Sequence, residues 1–461
     1  VSKVIPVVDV FAGPGGLGEG FSALPGGRFK LAISAEMERS AHRTLTLRAL
    51  FRNLDPDQRR QYYYPFLEPS GRHFPFDGLP AKGPVAEALE RARAEALNLT
   101  LGERRSNDLL ESAIVDRTAS AGPWVLVGGP PCQAYSLAGR VRNRRKKDYL
   151  PDDDTRHFLY AEYLHLVASY GPAVFVMENV KGILSSQVNG GPIFQRIIED
   201  LSTVTFKPRR SRKGLRYRLF ALAGAEPVLG TVPADFLIRA ERHGIPQARH
   251  RVIIIGVRED FLDRKSPGSL EQRTPIPLSE LMCGLPSLRS HLSRGPSRLE
   301  EGRWREAVRA AFRSAARACT KAGETRVAEV LDQAVAGDAL PSLPVSSTEF
   351  EKTGAWQDAA LQSWIRDPEL GCVLNHEARG HMESDLARYG FCAAWQQVHG
   401  HSPTSRVFPP ALAPNHANWE TGYFADRFRV QNPHGPGTTV TSHIAKDGHH
   451  FIHWDPSSVA V

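Results

Sequence analysis

Short apolar runs rich in β-branched residues alternate, through the first half of the chain, with stretches whose apolar positions recur at helical spacing. Residues 4–11 form the first such run and end in Ala12-Gly13-Pro14-Gly15-Gly16-Leu17-Gly18, after which residues 19–24 take a helical pattern. A second strand is predicted over residues 29–35, ending at Glu36. The pattern blurs over residues 53–120. There, residues 62–84 read as an irregular loop rich in Pro, Gly and aromatics, and residues 85–99 and 108–117 read as helices. A strand at 124–127 follows, then a helix over 156–169 with Phe158, Leu159, Leu166 and Val167 placed for burial. The strand 173–177 terminates in Glu178-Asn179-Val180, and further strands are predicted at 217–223 and 252–257. Strand and helix in alternation predict an α/β sheet of the Rossmann type.

Beyond Val257 the pattern changes. Residues 263–296 are punctuated by Pro, Gly and Ser and mark a boundary. Residues 300–336 form one long helical pattern with Trp304, Val308 and Phe312 on one face. Arg305, Arg309, Arg313 and Arg317 recur along it, as a phosphate track or a plain solvent face. The remainder, dense in Pro, His and aromatic residues, suits a small irregular domain. Two domains are expected, residues 1–260 and 261–461.

Composition narrows this. The hydrophobic fraction is 41% and the charged fraction 23%, as in soluble globular proteins. No apolar stretch approaches the ~20 residues a bilayer requires, and the N-terminus lacks a charged region followed by an apolar one. A cytosolic location is expected. The five cysteines, Cys132, Cys283, Cys319, Cys372 and Cys392, are odd in number and none lie in CxxC spacing. Neither a disulfide framework nor a zinc ribbon is supported, and reduced thiols suit a catalytic Cys132. The net charge of +8 is carried by 46 Arg against 12 Lys. A basic excess favours a polyanionic partner, although an arginine bias also follows from a GC-rich genome.

Strand, glycine turn and helix in that order let backbone approach a ligand at a helix N-terminus. Glu36, at the tip of the second strand, stands where an acidic residue commonly holds a ribose hydroxyl pair. Together they point to an adenosine-type cofactor, and the departure from GxGxxG counts against a nicotinamide. The plainer alternatives are a core aromatic at Phe11 and a solvated turn acid at Glu36. Pro130 and Pro131 fix the backbone ahead of Cys132 and Gln133. Cys132 is thus a nucleophile or a packed thiol, and Glu178 delivers a carboxylate to the same sheet edge. Six of the eight residues over 140–147 are Arg or Lys, beside the cysteine. A second basic run at 207–218 has no assigned role. His376-Glu377-Ala378-Arg379-Gly380-His381 spaces its histidines five apart, which fails the HExxH zinc pattern, so no metal is expected there.

Four segments resemble, in order, the motifs of DNA (cytosine-5) methyltransferases. They are Asp9-Val10-Phe11-Ala12-Gly13-Pro14-Gly15-Gly16, Gly129-Pro130-Pro131-Cys132-Gln133-Ala134-Tyr135-Ser136, Glu178-Asn179-Val180 and Gln247-Ala248-Arg249-His250-Arg251. The resemblance covers the chain to about residue 257, with a looser likeness over 438–454. It implies a Rossmann-like S-adenosylmethionine-dependent methyltransferase sheet followed by an irregular target-recognition domain. It further implies that Phe11 stacks on adenine, Gly13 and Gly15 lie near the methionine part, Glu36 holds the ribose and Met37 sits beside the adenine. Asp108 and Asp116 are both candidates for the adenine amino group.

Cys132 would add to carbon 6 of cytosine, and Glu178 would share a proton with N3. Arg251 would orient the base and support Glu178, with Arg249 nearby, and Gln133 and Ser136 would belong to the catalytic loop. A cytosine within duplex DNA must be flipped out to meet the thiol, at a cost of a few kcal/mol. Arg140, Arg142, Arg144 and Arg145 are placed to grip phosphates as that happens. A role in restriction–modification or phage defence, in the bacterial cytosol or nucleoid, follows from the same resemblance. The family's closing Arg-Glu and Gly-Asn-x-Val segments have no match before Val461, so a second polypeptide is expected to supply them, or activity to be impaired. A silent DNA-binding or split-enzyme subunit, and a tRNA cytosine-5 methyltransferase, stay open as alternatives.

Overall fold

Val7, Val8 and Val10 are wholly buried, and the strand they form, β1 (Ile5–Val10), is the centre on which one half of the chain is built. In the computed structural model the described residues are 4–67, 76, 78–118, 122–131, 159–188, 191–208, 214–223, 232–262, 267–337, 340–349, 359–416, 419, 426–440 and 448–458. They divide into two compact units, Val1–Ala240 with His250–Gln272, and Glu241–Arg249 with Arg273–Val461.

The first unit holds a mixed sheet. Its strands are β1, β2 (Phe29–Glu36), β3 (Ala96–Asn98), β4 (Val125–Gly128), β5 (Val174–Val180), β6 (Thr205–Phe206), β7 (Leu215–Phe220), β8 (Leu237–Arg239) and β9 (His250–Arg258). The order is β3-β2-β1-β4-β5-β9-β7-β6, with β8 also on β9. Strands β1 to β5 run parallel, whereas β9 is antiparallel to β5, β7 and β8. The chain therefore builds outward from β1 to β3, then returns to β4 on the other side. Ligands bind outside the carboxyl ends of such strands where the direction reverses.

Helices α1 (Gly16–Ser22), α2 (Arg39–Asn53), α3 (Pro84–Glu95), α4 (Arg104–Thr118), α5 (Leu159–Tyr170) and α6 (Ile193–Thr203) accompany the sheet. The two sheet faces bury separate clusters. Val8, Val10, Ile33, Leu126, Phe175 and Met177 belong to the large one, and Val7, Leu31, Val125 and Val127 to the smaller one, with Leu17 and Phe21 of α1 packed on it. Alternation along β1, β4 and β5 assigns their residues to one cluster or the other, whereas on β2 the register shift opposite Val7 and Val8 carries Ile33 to the face away from Leu31.

Three expectations for the first unit need correction. Residues 85–99 are not one helix: α3 ends at Glu95 and β3 follows at once, paired parallel with β2. Residues 62–67 are helical, within a π-turn and a short helix, rather than loop. Glu178, Asn179 and Val180 lie inside β5, not beyond it, because β9 pairs with the strand as far as Val180.

The second unit is built on α7 (Glu301–Lys321), α8 (Thr325–Ala334) and α9 (Glu383–His399). Trp304, Val308, Phe312 and Cys319 pack with Val327, Leu331, Leu386, Phe391 and Trp395. The single long helix expected over 300–336 is broken at Gly323, whose φ is 85°. There the Gly323 N–H donates to Thr320 O at 3.1 Å and the Glu324 N–H to Cys319 O at 2.9 Å, closing α7 with a left-handed cap. Helix α9 supplies order where the sequence suggested irregular structure. Two short parallel pairs, Gln247–Ala248 with Gly437–Thr438 and His291–Leu292 with Gly380–His381, complete the unit. No helix among the described residues is long and apolar enough to cross a membrane.

Candidate active site

The turn after β1 is set by left-handed backbone at Phe11, Gly13 and Gly15, with φ of 55°, 56° and 93°. At Gly15 the requirement is doubled, since a Cβ there would meet Leu45 at 2.8 Å. Phe11 bears the left-handed cost itself and packs its ring, partly buried, on the large cluster. The carboxylate of Glu36 holds the turn: the Gly13 N–H donates to Oε2 at 2.9 Å and the Glu38 N–H to Oε1 at 2.8 Å. Each oxygen retains a lone pair for a further donor. Space is open on the side-chain side of Gly13, where a Cβ would meet nothing within 4 Å.

Asn98, at the end of β3, was missed by sequence reasoning. Its Nδ2 donates to Glu36 O at 2.8 Å and to Met37 O at 3.1 Å. Both amide protons are thereby spent, leaving Oδ1 as an acceptor. Met37 beside it is 59% exposed. Asp108 and Asp116 instead lie exposed along α4. The available signal was the Asn-Leu-Thr step after Ala96-Leu97, hidden because β3 continues the apolar rhythm of α3.

Beneath the turn, Asp9 is fully buried and accepts the Gly18 N–H on Oδ2 at 3.1 Å. Its Oδ1 and the Oγ of Ser34, its register partner on β2, have no hydrogen-bond partner among the described residues. Burial pushes the Asp9 carboxyl up to about 7, against the Gly18 N–H and Arg52; the charge of Glu36 adds to the rise.

On the strand paired with β1, β4 delivers Gly129, Pro130 and Pro131 to the same edge. Asn179 Nδ2 donates to Pro130 O at 3.2 Å, tying this segment to β5. A Cβ on Gly129 would stand 3.0 Å from Glu178 Oε2, so the absent side chain lets backbone lie against the carboxylate. On its other side Arg251 Nε lies 2.7 Å from Glu178 Oε1, an ion pair whose N–H is not aligned as a hydrogen bond. The pair follows from register: β9 sets Arg251 opposite Val180, one diagonal step from Glu178 on the same sheet face. The side chains are 21% and 23% exposed, which leaves the carboxylate reachable.

Cys132, Gln133, Ser136, Arg140, Arg142, Arg144 and Arg145 lie outside the described residues. Arg249 belongs to the second unit, where its N–H donates to Gln247 O at 2.7 Å. The arginine row of α7 is partly spent on structure. Arg305 donates to Leu340 O at 2.6 Å and Arg309 to Gly337 O at 2.7 Å, while Arg313 and Arg317 face solvent. His376 Nε2 donates to Pro286 O at 2.7 Å, and no metal-holding cluster occurs among the described residues.

One sheet edge thus brings together an open glycine turn with polar groups suited to an adenosyl moiety and a carboxylate fixed beside a guanidinium. Such a pair can hold a heteroaromatic ring and pass it a proton.

Residues 111–291 match the family model described as C-5 cytosine-specific DNA methylase. The chain is 26% identical over 475 residues to the Type II methyltransferase M.Bpa9945I of Bacillus paralicheniformis, covering 97% of this chain and 86% of that protein. It is 33% identical over 137 residues to the Type II methyltransferase M.BspRI of Lysinibacillus sphaericus, covering 30% of this chain and 24% of the relative. It is likewise 33% identical over 145 residues to the DNA (cytosine-5-)-methyltransferase M.ApeKI of Aeropyrum pernix, covering 30% and 27%. The matched part of the chain therefore spans about a quarter of these last two proteins. Among solved structures, a putative DNA modification methyltransferase encoded within an E. coli prophage aligns with TM-score 0.36 and 19% identity, over 63% of this chain and 58% of that one.

Proposed function

We propose that this chain, whose residues 111–291 match the C-5 cytosine-specific DNA methylase family, methylates carbon 5 of cytosine in duplex DNA through a covalent adduct on a flipped base. S-adenosylmethionine supplies the methyl group as an electrophile. The residues at the first sheet edge fit its adenosyl half. Glu36 has lone pairs for ribose hydroxyls, Asn98 Oδ1 accepts from an amino group, Phe11 offers an aromatic face, and the space over Gly13 admits the methionine part.

Cytosine carbon 5 is a poor nucleophile until something adds to carbon 6. The Cys132 thiolate forms that Sγ–C6 bond, thiolate being the attacking species. The electron pair displaced into the ring reaches N3, where Glu178 donates a proton or shares one. Arg251, 2.7 Å away, holds that carboxyl in place. Carbon 5 would then take the methyl group as the sulfonium S–CH3 bond breaks and S-adenosylhomocysteine leaves; N3 returns its proton to Glu178, and loss of the carbon 5 proton to a base expels the Cys132 thiolate as the Sγ–C6 bond breaks. Relatives named as Type II methyltransferases support the modification half of a restriction–modification pair.

The observation that carries the proposal is Glu178 between Gly129, three residues before Cys132 in sequence, and Arg251. The purified chain, given tritiated S-adenosylmethionine, is expected to label duplex DNA and not tRNA. Cys132→Ala is expected to label neither, and DNA carrying 5-fluorocytosine to trap an adduct with the wild type alone. Label in tRNA only, or an adduct that persists in Cys132→Ala, would overturn the assignment.

A further inference from the structure

In the second unit, the parallel pair His291–Leu292 and Gly380–His381 opens at its carboxyl end onto a cavity of about 500 Å³. Arg294, Arg298, Arg303, His381 and Glu383 are among its walls. We infer that this cavity takes a phosphodiester of the DNA backbone and so fixes the second unit's register on the duplex; this rests on the chain acting on DNA.

Charge is the first support. Among the described residues Glu383 is the cavity's one carboxylate, and Arg303 Nη2 neutralises it at 2.8 Å, with Glu306 3.8 Å from Nη1. Arg294 and Arg298 form no ion pair among the described residues, so the cavity carries an unbalanced positive charge. The amino end of α9 opens here as well, and Met382, its cap residue, supplies no side-chain hydrogen bond. A helix of 17 residues directs the positive end of its dipole here, with Asp385 of its first turn held by Arg388 at 2.8 Å.

His381 is the independent observation. It is 6% exposed, it lines the cavity, and its Nε2 has no hydrogen-bond partner among the described residues. Burial, with His291, His449 and Arg379 nearby, brings its pKa down to about 4, so the ring is neutral. A buried polar nitrogen left without a partner keeps its desolvation cost uncompensated. A phosphate oxygen meeting its N–H removes that cost without adding a charge to the core. The charged side chains around the cavity are three arginines against one carboxylate, a balance that suits phosphate. A guanine edge also presents only acceptors to the major groove, and sequence dependence separates the two.

The test is duplex binding by fluorescence anisotropy over a range of salt. Full-length wild type is compared with R294A/R298A, two exposed positions, and with His381→Phe, using duplexes of equal length with and without G·C pairs. Folding of each variant is checked by circular dichroism. R294A/R298A is expected to bind every duplex about tenfold more weakly and to lower the slope of log Kd against log salt by about one, the change that leaving a single phosphate unneutralised produces. His381→Phe, if folded, is expected to weaken binding on every duplex equally.

Unchanged affinity and slope in R294A/R298A, with wild type still labelling DNA, overturns the clamp and leaves the transferase assignment standing. A loss confined to G·C duplexes makes the cavity a guanine reader and overturns the phosphate. A wild type that neither binds nor labels duplex DNA overturns both. Inorganic phosphate is the second probe: competition that disappears in R294A/R298A supports the site, whereas equal competition against wild type and variant opposes it.

Discussion

Arg251 touches Glu178 side-on, Nε to Oε1 at 2.7 Å, from the neighbouring antiparallel strand. An arginine so placed fixes a carboxyl's direction more than its distance, and that is what proton sharing with a ring nitrogen requires. Arg251→Ala should lower kcat for methyl transfer by about 10²-fold, roughly 3 kcal/mol, with the KM for S-adenosylmethionine little changed. Arg251→Lys should recover only part, since ammonium cannot reproduce the planar contact. Single-turnover transfer measures this; wild-type rates in Arg251→Ala would remove Arg251 from the mechanism.

Asp9 predicts a pH dependence of stability. Its folded pKa of about 7 lies above the ordinary 3.8, so the folded state keeps a proton that the unfolded chain releases. The contribution is complete below the lower value and disappears as pH rises through the higher one. Asp9→Asn keeps an acceptor for the Gly18 N–H but never ionises. Relative to wild type it should gain stability as pH rises from about 4 to 7, by at most ~4 kcal/mol. Urea unfolding at acid and alkaline pH tests this, and an equal difference at both would refute it.

Asn98→Ala removes the acceptor beside Met37 and the ties to Glu36 O and Met37 O. Cofactor affinity should fall about tenfold, one hydrogen bond's worth. Calorimetric titration with S-adenosylhomocysteine checks it. Unchanged affinity would return Asp108 and Asp116 to consideration.

Gly390 of α9 lies against Phe312 of α7 so closely that a Cβ would come within 2.4 Å of the ring. Gly390→Ala should destabilise the second unit by about 1–3 kcal/mol through overpacking. Cofactor binding, proposed for the first unit, should persist while duplex binding falls. A variant as stable as wild type would show the helices have room to move apart.

What the sequence made legible depended on how local the cause was. The glycine turn, Glu36, β4 and β5 could be read because each is a short run with a composition of its own. β3 could not: Ala96 and Leu97 extend the rhythm of α3, and only pairing with β2 makes them a strand. Helix α9 was hidden for the opposite reason. Residues from Asp385 to Trp395 are buried on nearly every side, so it has no polar stripe to set a period. Aspartates on α4 drew attention for the adenine because an acid was sought, whereas the residue at the end of β3 is the amide Asn98. The Glu178–Arg251 contact needed the β5–β9 register, which no spacing along the chain reveals.

The polypeptide leaves the first unit after Ala240, returns at His250 and departs again after Gln272. Each half is therefore sewn to the other by three passages of backbone. Severing the chain at any one peptide bond liberates neither half whole, and exchanging the second unit with a relative's means transplanting two separate stretches, the nine-residue excursion Glu241–Arg249 along with the longer tract.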